Sequence, residues 1–479
     1  MIQTTMRSRF GHPHIRLTAR RVPLALALSA AVLFATSAAQ ARAATSAAYA
    51  PDEIVVRYAP APAARLASAR AAGGEITDAA MRASAVAHTR LLRLPAGVSV
   101  AATLRRLRRR RGVQWAVPDY LAHVAGGVVP NDEGAAGHAA GDWQELQWNF
   151  VGQFGVNAPE AWANLAADGA TGGAGVTVAV LDTGVAYANR GPFHRSPDLD
   201  PYTFVKGYDF IAKNPYANDR NGHGTFVAST IAEATDNHYG LTGLAFGAHI
   251  MPVRVLNEAG EGEASTIAEG VMFAVKHHAE VINLSLEFAP GVSANDIPEL
   301  MEALSYAHRH GVLVVAAAGN EGEPRVDYPA LAPNVVAVGA TTEHGCLADY
   351  SNYGPRVTLV APGGGADASF LGDPNCHPEL PAGRDVYQVT LTGGSFTKFG
   401  IPSGYEGTSM ATPHVAATAA LIIASGVLGR HPTPEQITAR LQATATKLGG
   451  GGDESDYGAG LVNAAAATAP AGPGAVPVP

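Results

Sequence analysis

Short apolar, β-branched runs recur along most of the chain and alternate with stretches whose apolar positions fall at helical spacing. From Trp148 onward, residues 176–181, 249–256, 281–286, 312–318 and 335–339 read as buried strands. Residues 225–234, 265–278 and 297–310 between them read as helices. This alternation predicts an α/β domain, a doubly wound parallel sheet covered on both faces, with its site outside the carboxyl ends of the strands. The front of the chain is patterned differently. Residues 52–59, 89–94 and 113–124 read as strands, and 63–72 and 99–112 as helices, with Val100, Leu104 and Leu107 on one face of the second helix. A small α+β module is expected there. A Gly/Ala-rich stretch without periodicity, residues 126–142, reads as a linker.

The first 43 residues fit neither pattern. An Arg-rich start leads into an apolar run, 22–39, followed by Ala39-Gln40-Ala41 and Ala41-Arg42-Ala43, both small-x-small triplets of the kind that precede signal cleavage. Residues 1–43 are therefore expected to be an export signal, with an uncleaved anchor as the alternative. Arg20-Arg21 leaves the export route open. No later segment is apolar and long enough to span a bilayer, so the processed chain is expected outside the cytoplasm and free of the membrane.

Composition sharpens the division. At 47% hydrophobic and 15% charged, the 479 residues describe a globular chain, and two cysteines exclude a disulfide-framework miniprotein and a four-Cys zinc module. The net charge of −8 is unevenly spread. Residues 1–43 carry +6, residues 44–125 carry +7, and residues 126–479 carry −21. Arg105, Arg106, Arg108, Arg109, Arg110 and Arg111 crowd the polar face of the second front helix. They read as a nucleic-acid patch, a solvated charge run, or a face made to sit on an acidic partner.

Polar residues stand where the sheet rule puts a site. Asp182 closes the strand of VTVAVLDTGV, His223 opens a helix in NGHGTFVAS, Asn320 follows a strand in AAAGNEG, and Ser409 precedes a small-residue helix in GTSMATPHVA, with Pro413 read as lying in its first turn. A serine hydroxyl needs a base, an imidazole can be that base, and a buried carboxylate can hold its tautomer. Asn320 and the Ser409 backbone N–H can hold an oxyanion. The order Asp, His, Ser excludes the α/β-hydrolase arrangement, and no His-Glu-x-x-His supports a zinc peptidase.

On these four residues and their contexts the chain resembles the subtilisin-like serine proteases over roughly residues 148–467, including the closing DYGAGLVNAAAA. The resemblance implies a serine endopeptidase made as a precursor. Residues 44–125 resemble its ferredoxin-like propeptide, which assists folding and inhibits the enzyme until removed, and residues 143–468 its catalytic domain. The +7 module is expected to dock on the −21 body and to be cut away within 124–142. Residues 469–479 read as a flexible tail. Gly260, Glu261 and Gly262 match one substrate-flanking strand and Ser285 and Leu286 the other, where Glu287 stands in place of the usual Gly. Asp327 matches the floor of the pocket for the scissile residue. Glu258, Glu261, Glu263, Glu287 and Asp327 invite basic substrates, yet no Lys or Arg lies between Arg111 and Arg190, where self-processing must occur. Broad specificity is expected, with at most a tilt to basic residues.

The resemblance also implies a structural Ca2+, held by Asp198, Asn237 and the carbonyls of Thr235, Tyr239 and Leu241, with Gln144 or Gln147 adding an amide oxygen. Asp219 and Asn221 are a weaker second candidate. In an exported chain Cys346 and Cys376 are expected to pair and to pin an insertion at about 366–401. Peptide or protein substrates and the chain's own propeptide are the expected partners of a monomer that does not bind nucleic acid. The alternative is a catalytically silent, peptide-binding homologue.

Overall fold

The computed structural model describes residues 49–59, 81–83, 88–95, 98–120, 129–167, 169–370, 372–449 and 454–470. The front module is a four-stranded antiparallel sheet of β1 (Tyr49–Tyr58), β2 (Met81–Ala83), β3 (Thr89–Arg93) and β4 (Val113–Tyr120), in the order β2-β3-β1-β4. Helix α1 (Val100–Arg108) begins at Ser99, whose hydroxyl accepts from Ala102 N at 3.3 Å. Val100, Leu104 and Leu107 pack from α1 onto Ile54, Val56, Leu92 and Ala116. The arginines at 105, 106 and 108–111 remain exposed on the other side. β2 was not expected, being too short to carry a period of two. The helix expected at 63–72, the signal at 1–43 and the end of the strand expected to reach 124 lie outside the described residues.

The body is built on seven parallel strands: β5 (Thr177–Asp182), β6 (Tyr208–Asp209), β7 (His249–Arg254), β8 (Val281–Leu284), β9 (Leu313–Ala317), β10 (Val335–Thr341) and β11 (Leu359–Pro362). Their order is β11-β10-β9-β8-β5-β7-β6. After β5 the chain adds β6 and β7 on one side and then β8 to β11 on the other, so the order reverses between β5 and β8, where such folds open a crevice. Alternation along β5 divides its side chains between two cores. Val178 and Val180 join the core of α2 (Ala158–Ala167), α3 (His223–Ala232) and α6 (Thr408–Ser425). Ala179 and Leu181 join that of α4 (Ala264–Lys276) and α5 (Pro298–Arg309). Both faces are covered, as the pattern required. Helix α6 is buried on nearly all sides and is therefore rich in alanine, which lets strands β8 to β11 approach it.

The stretch read as a linker is not free from Val129 on. Asp132 is fully buried and accepts from Asp236 N (2.9 Å) and Asn237 N (3.2 Å), while Trp143 Nε1 donates to Pro130 O at 3.1 Å. Small residues there carry no periodicity because the segment is held by backbone and Asx contacts rather than by an apolar face. Cys346 and Cys376 form the expected disulfide inside the α4–α5 core. The insertion it anchors runs on into a hairpin, β12 (Thr390–Leu391) and β13 (Phe399–Gly400), that lies against α3.

One charged pair is buried at the end of the sheet. Arg254 Nη1 bonds Asp209 Oδ2 at 3.0 Å, and Asp209 also accepts from Ile211 N and Ala212 N. Removing one partner of a buried pair leaves an uncompensated charge and costs about 3–5 kcal/mol. Arg254→Met is expected to lower stability by about 3 kcal/mol or more, read as a shift in guanidinium midpoint in a Ser409→Ala background. An unshifted midpoint would contradict this account.

Candidate active site

The crevice at the carboxyl ends of β5, β8 and β9 collects the four residues singled out from the sequence. Asp182 is the last residue of β5 and has no exposure. Its Oδ1 accepts from Thr183 N at 2.7 Å and faces His223 Nδ1 at 2.8 Å, with Oδ2 at 3.0 Å from the same nitrogen. His223 is the first residue of α3, after Gly222, whose φ of 113° suits glycine. Behind it Asp219, also buried, accepts from Thr183 Oγ1, Thr225 N and Thr225 Oγ1. Thr183 Oγ1 in turn accepts from Gly224 N at 3.0 Å. Asp219 thus braces the histidine turn, and its oxygens are engaged there rather than offered to a metal. Burial lowers the pKa of His223, but the charge of Asp182, its hydrogen bond and the charge of Asp219 together leave it above the ordinary value.

Ser409 is the second residue of α6, so its backbone N–H makes no intrahelical bond. Pro413 lies inside this helix, at its sixth residue, not in its first turn as expected. Having no N–H, it cannot bond the Ser409 carbonyl four residues back. Ser285 Oγ takes that carbonyl instead, at 2.8 Å, and itself accepts from Asn283 Nδ2 at 3.0 Å. The Ser409 hydroxyl donates to Ser285 O at 3.2 Å. Among the described residues no bond joins it to His223; catalytic hydrogen bonds of this kind often tighten only with substrate bound.

Asn320 lies three residues beyond β9. Its Oδ1 accepts from Thr408 N (2.8 Å) and Thr408 Oγ1 (3.0 Å), which fixes the amide orientation and directs Nδ2 into the crevice. Nδ2 donates to Glu287 Oε2 at 3.1 Å. Burial pushes the Glu287 carboxyl up to about 7, Glu321 and Asp327 add to the push, and the Asn320 N–H groups oppose it. Asp327 is buried and bonded to Arg325 Nε (3.3 Å) and Asn352 Nδ2 (2.8 Å); Asn352 Nδ2 also reaches Glu321 Oε2 at 2.7 Å. Burial and then Glu321 raise Asp327 above the ordinary carboxylate range. Glu321 was not singled out from the sequence, although its place beside Asn320 offered the signal.

Neither of the two flanking segments pairs into a sheet among the described residues. Residues 257–263 form a turn closed by Asn257 N to Glu261 O at 2.8 Å, with Gly260 at φ 81°, so the strand expected at Gly260–Gly262 does not pair here. A side chain at Gly262 would collide with Val255 O. Ser285, Leu286 and Glu287 continue β8 past its last ladder pair at Leu284. Glu258, Glu261 and Glu263 are exposed, so of the five acids noted only Glu287 and Asp327 gather at Asn320.

A second carboxylate group lies under the 235–241 loop. Asp198 Oδ1 accepts from Asn237 Nδ2 (2.8 Å) and Oδ2 from Leu241 N (2.9 Å); Asn237 Oδ1 accepts from Tyr239 N. Asp132 and Glu233, both fully buried and neither expected, lie beside it: burial and then Asp132 raise Asp198 to about 8, and burial with Asp198 and Asp132 pushes Glu233 well above its ordinary range. Glu233 Oε2 has no hydrogen-bond partner, and no Lys or Arg pairs with these three among the described residues. Such uncompensated buried charge fits a hard cation, although no three acidic, His or Cys groups converge on one point among the described residues. Gln147 is occupied elsewhere, exchanging bonds with Thr242, and Gln144 donates to Gly141 O.

Comparison with known proteins agrees with this geometry. Residues 173–460 match the model of the subtilase family, and residues 35–119 that of the fervidolysin N-terminal prodomain. The chain is 34% identical to "Thermophilic serine proteinase" of Bacillus sp. (strain AK1), over 75% of this chain and 74% of that one. It is 38% identical to "Thermostable alkaline protease" of Halalkalibacterium halodurans, over 62% of this chain and 68% of the relative, and 39% identical to "Subtilisin Savinase" of Lederbergia lenta, over 62% and 91%. Among solved structures, a protease from Pseudoalteromonas arctica PAMC 21717 matches with a TM-score of 0.57 at 30% identity, covering 71% of this chain and 99% of that one. The chain belongs to the subtilase family and is a serine endopeptidase that carries a prodomain.

Proposed function

We propose that the enzyme cleaves peptide bonds through an acyl-enzyme formed on Ser409. The observation that carries this reading is the Asp182–His223 hydrogen bond at 2.8 Å in the crevice that also holds Ser409 at the start of α6. Ser409 Oγ attacks the scissile carbonyl while His223 Nε2 takes its proton. Nδ1–H stays on Asp182, which holds the tautomer and stabilises the imidazolium. The negative oxygen accepts from Ser409 N–H and Asn320 Nδ2. Collapse breaks the C–N bond, His223 returns the proton to the leaving amine, and water then hydrolyses the ester by the same steps reversed.

The precursor is exported, and its prodomain inhibits the enzyme until cut away. Supporting this are the basic, exposed α1 face, the +7 of residues 44–125 against −21 for the body, and a processing region without Lys or Arg. The same region supports broad specificity. The bonds of Asn131, Asp132 and Gly134 to the 236–240 segment support a processing bond ahead of Val129. A Ca2+ at Asp198, Asp132 and the carbonyls of Thr235, Tyr239 and Leu241 would neutralise the buried carboxylates and tie this N-terminal segment to the loop.

Ser409→Ala is expected to abolish proteolysis, fluorophosphonate labelling and release of the prodomain; normal processing of the pure variant would overturn the mechanism. Asn320→Ala is expected to lower kcat by about 10²–10³, the range found for such a donor in a subtilisin itself. In a Ser409→Ala background, saturating Ca2+ is expected to raise the thermal midpoint and chelator to lower it, with the response largely lost in Asp132→Ala. A midpoint insensitive to both additions would remove the calcium proposal.

A further inference from the structure

This inference rests on the serine peptidase reading and concerns what its substrates must carry. The Asn320 carboxamide cannot turn round: Thr408 N–H and O–H hold its oxygen, and Glu287 Oε2 receives its Nδ2 at 3.1 Å. An oxyanion forming on the attacked carbonyl takes the same nitrogen, and so develops its charge one contact from a carboxylate. Like charges a few ångströms apart in a half-buried site repel strongly.

The Asn320 N–H groups oppose that charge, but no cation among the described residues relieves it. The 320–327 loop faces Glu287 with Glu321 and Asp327, both of which push its acidity in the same direction. Arg325 is spent on Asp327 at 3.3 Å. The first turn of α6, on the other side, carries no charged residue. Glu287 is held in place by its neighbour, since Phe288 N donates to Tyr328 O at 2.8 Å.

We propose that Glu287 is a specificity-determining residue that, when ionised, tilts acylation toward substrates with a cationic side chain at the scissile residue. An arginine there brings a positive charge to Glu287, with Glu321 and Asp327 behind it, and cancels the repulsion. A leucine there does not. Below neutrality Glu287 binds a proton over a growing fraction of molecules, and the two kinds of substrate become equivalent. His223 must be neutral for either substrate, so the acid limb is shared. The alkaline limb falls only for the uncharged one.

The test compares kcat/KM from pH 6 to 9 for two peptides differing only in Arg or Leu at the scissile residue. The enzyme is the processed protein, wild type, Glu287→Gln and Glu287→Gly, with active-site titration counting competent molecules. Gln keeps an acceptor for Asn320 Nδ2 and removes only the charge. In wild type the Arg:Leu ratio is expected to rise about tenfold across this range and in both variants to become independent of pH. A flat wild-type ratio, or a slope that survives in the variants, overturns the inference while leaving the peptidase reading intact. A wild type that neither cleaves nor takes up a fluorophosphonate overturns both.

Discussion

Two hydrogen bonds that cross from α6 to the loops above the sheet hold the reaction centre together. Thr408 N–H reaches Asn320 Oδ1, and Ser285 Oγ reaches the Ser409 carbonyl. The first ties the Asn320 amide to the helix terminus that carries Ser409, so the two cannot move apart independently. The second exists because Pro413 leaves that carbonyl without its helical donor. A proline that would otherwise weaken a buried helix by leaving a polar group unpaired is instead the reason that β8 grips its first turn. The alanine-rich body of α6 then sets how deeply this terminus sits, since larger side chains would hold the sheet off.

The carboxylates of this protein fall into groups distinguished by what compensates them. Asp219 receives four hydrogen bonds, and Asp209 has both backbone donors and an arginine. Asp182 is as deeply buried but has Thr183 N–H and an imidazole beside it. Asp132, Asp198 and Glu233 have donors yet no cation, and Glu287 has one amide and two like-charged neighbours. Burial is common to nearly all of them, so burial alone does not mark a functional acid. The missing counter-charge does, and it appears at the two places where a charged partner from outside is expected.

Much of this was legible in the residues. The β5, β7, β8, β9 and β10 strands are continuous apolar runs because they are covered on both faces, and the residues at their carboxyl ends stood out against that background. β6 and β12, two residues each, have no period to read. Asp132 escaped notice because its partners lie more than a hundred positions away, and a single acid in a Gly/Ala-rich stretch has no local pattern. Pro413 was placed a turn too early because the sequence does not reveal that α6 begins at Thr408 rather than deeper in. The Gly260–Gly262 segment read as a strand, yet a strand needs a partner, and among the described residues it has none and Gly260 sits in a turn.

That unpaired edge and the Glu287 contact have a common logic. On the proposed mechanism, this polypeptide supplies the nucleophile Ser409, the base His223, the orienting acid Asp182 and the oxyanion donor Asn320 from its own sheet and helices. What it lacks are the features a second polypeptide brings, namely a strand to ladder against Gly260–Gly262 and Ser285–Glu287, and a charge to balance the acids beside Asn320. Here a carboxylate, with no cation beside it among the described residues, stands against the Asn320 amide. The family resemblance accounts for the first deficiency, because any extended peptide can fill it. It does not account for the second, which on the proposed reading discriminates among peptides, and discrimination made at an oxyanion donor acts on the transition state rather than on ground-state binding.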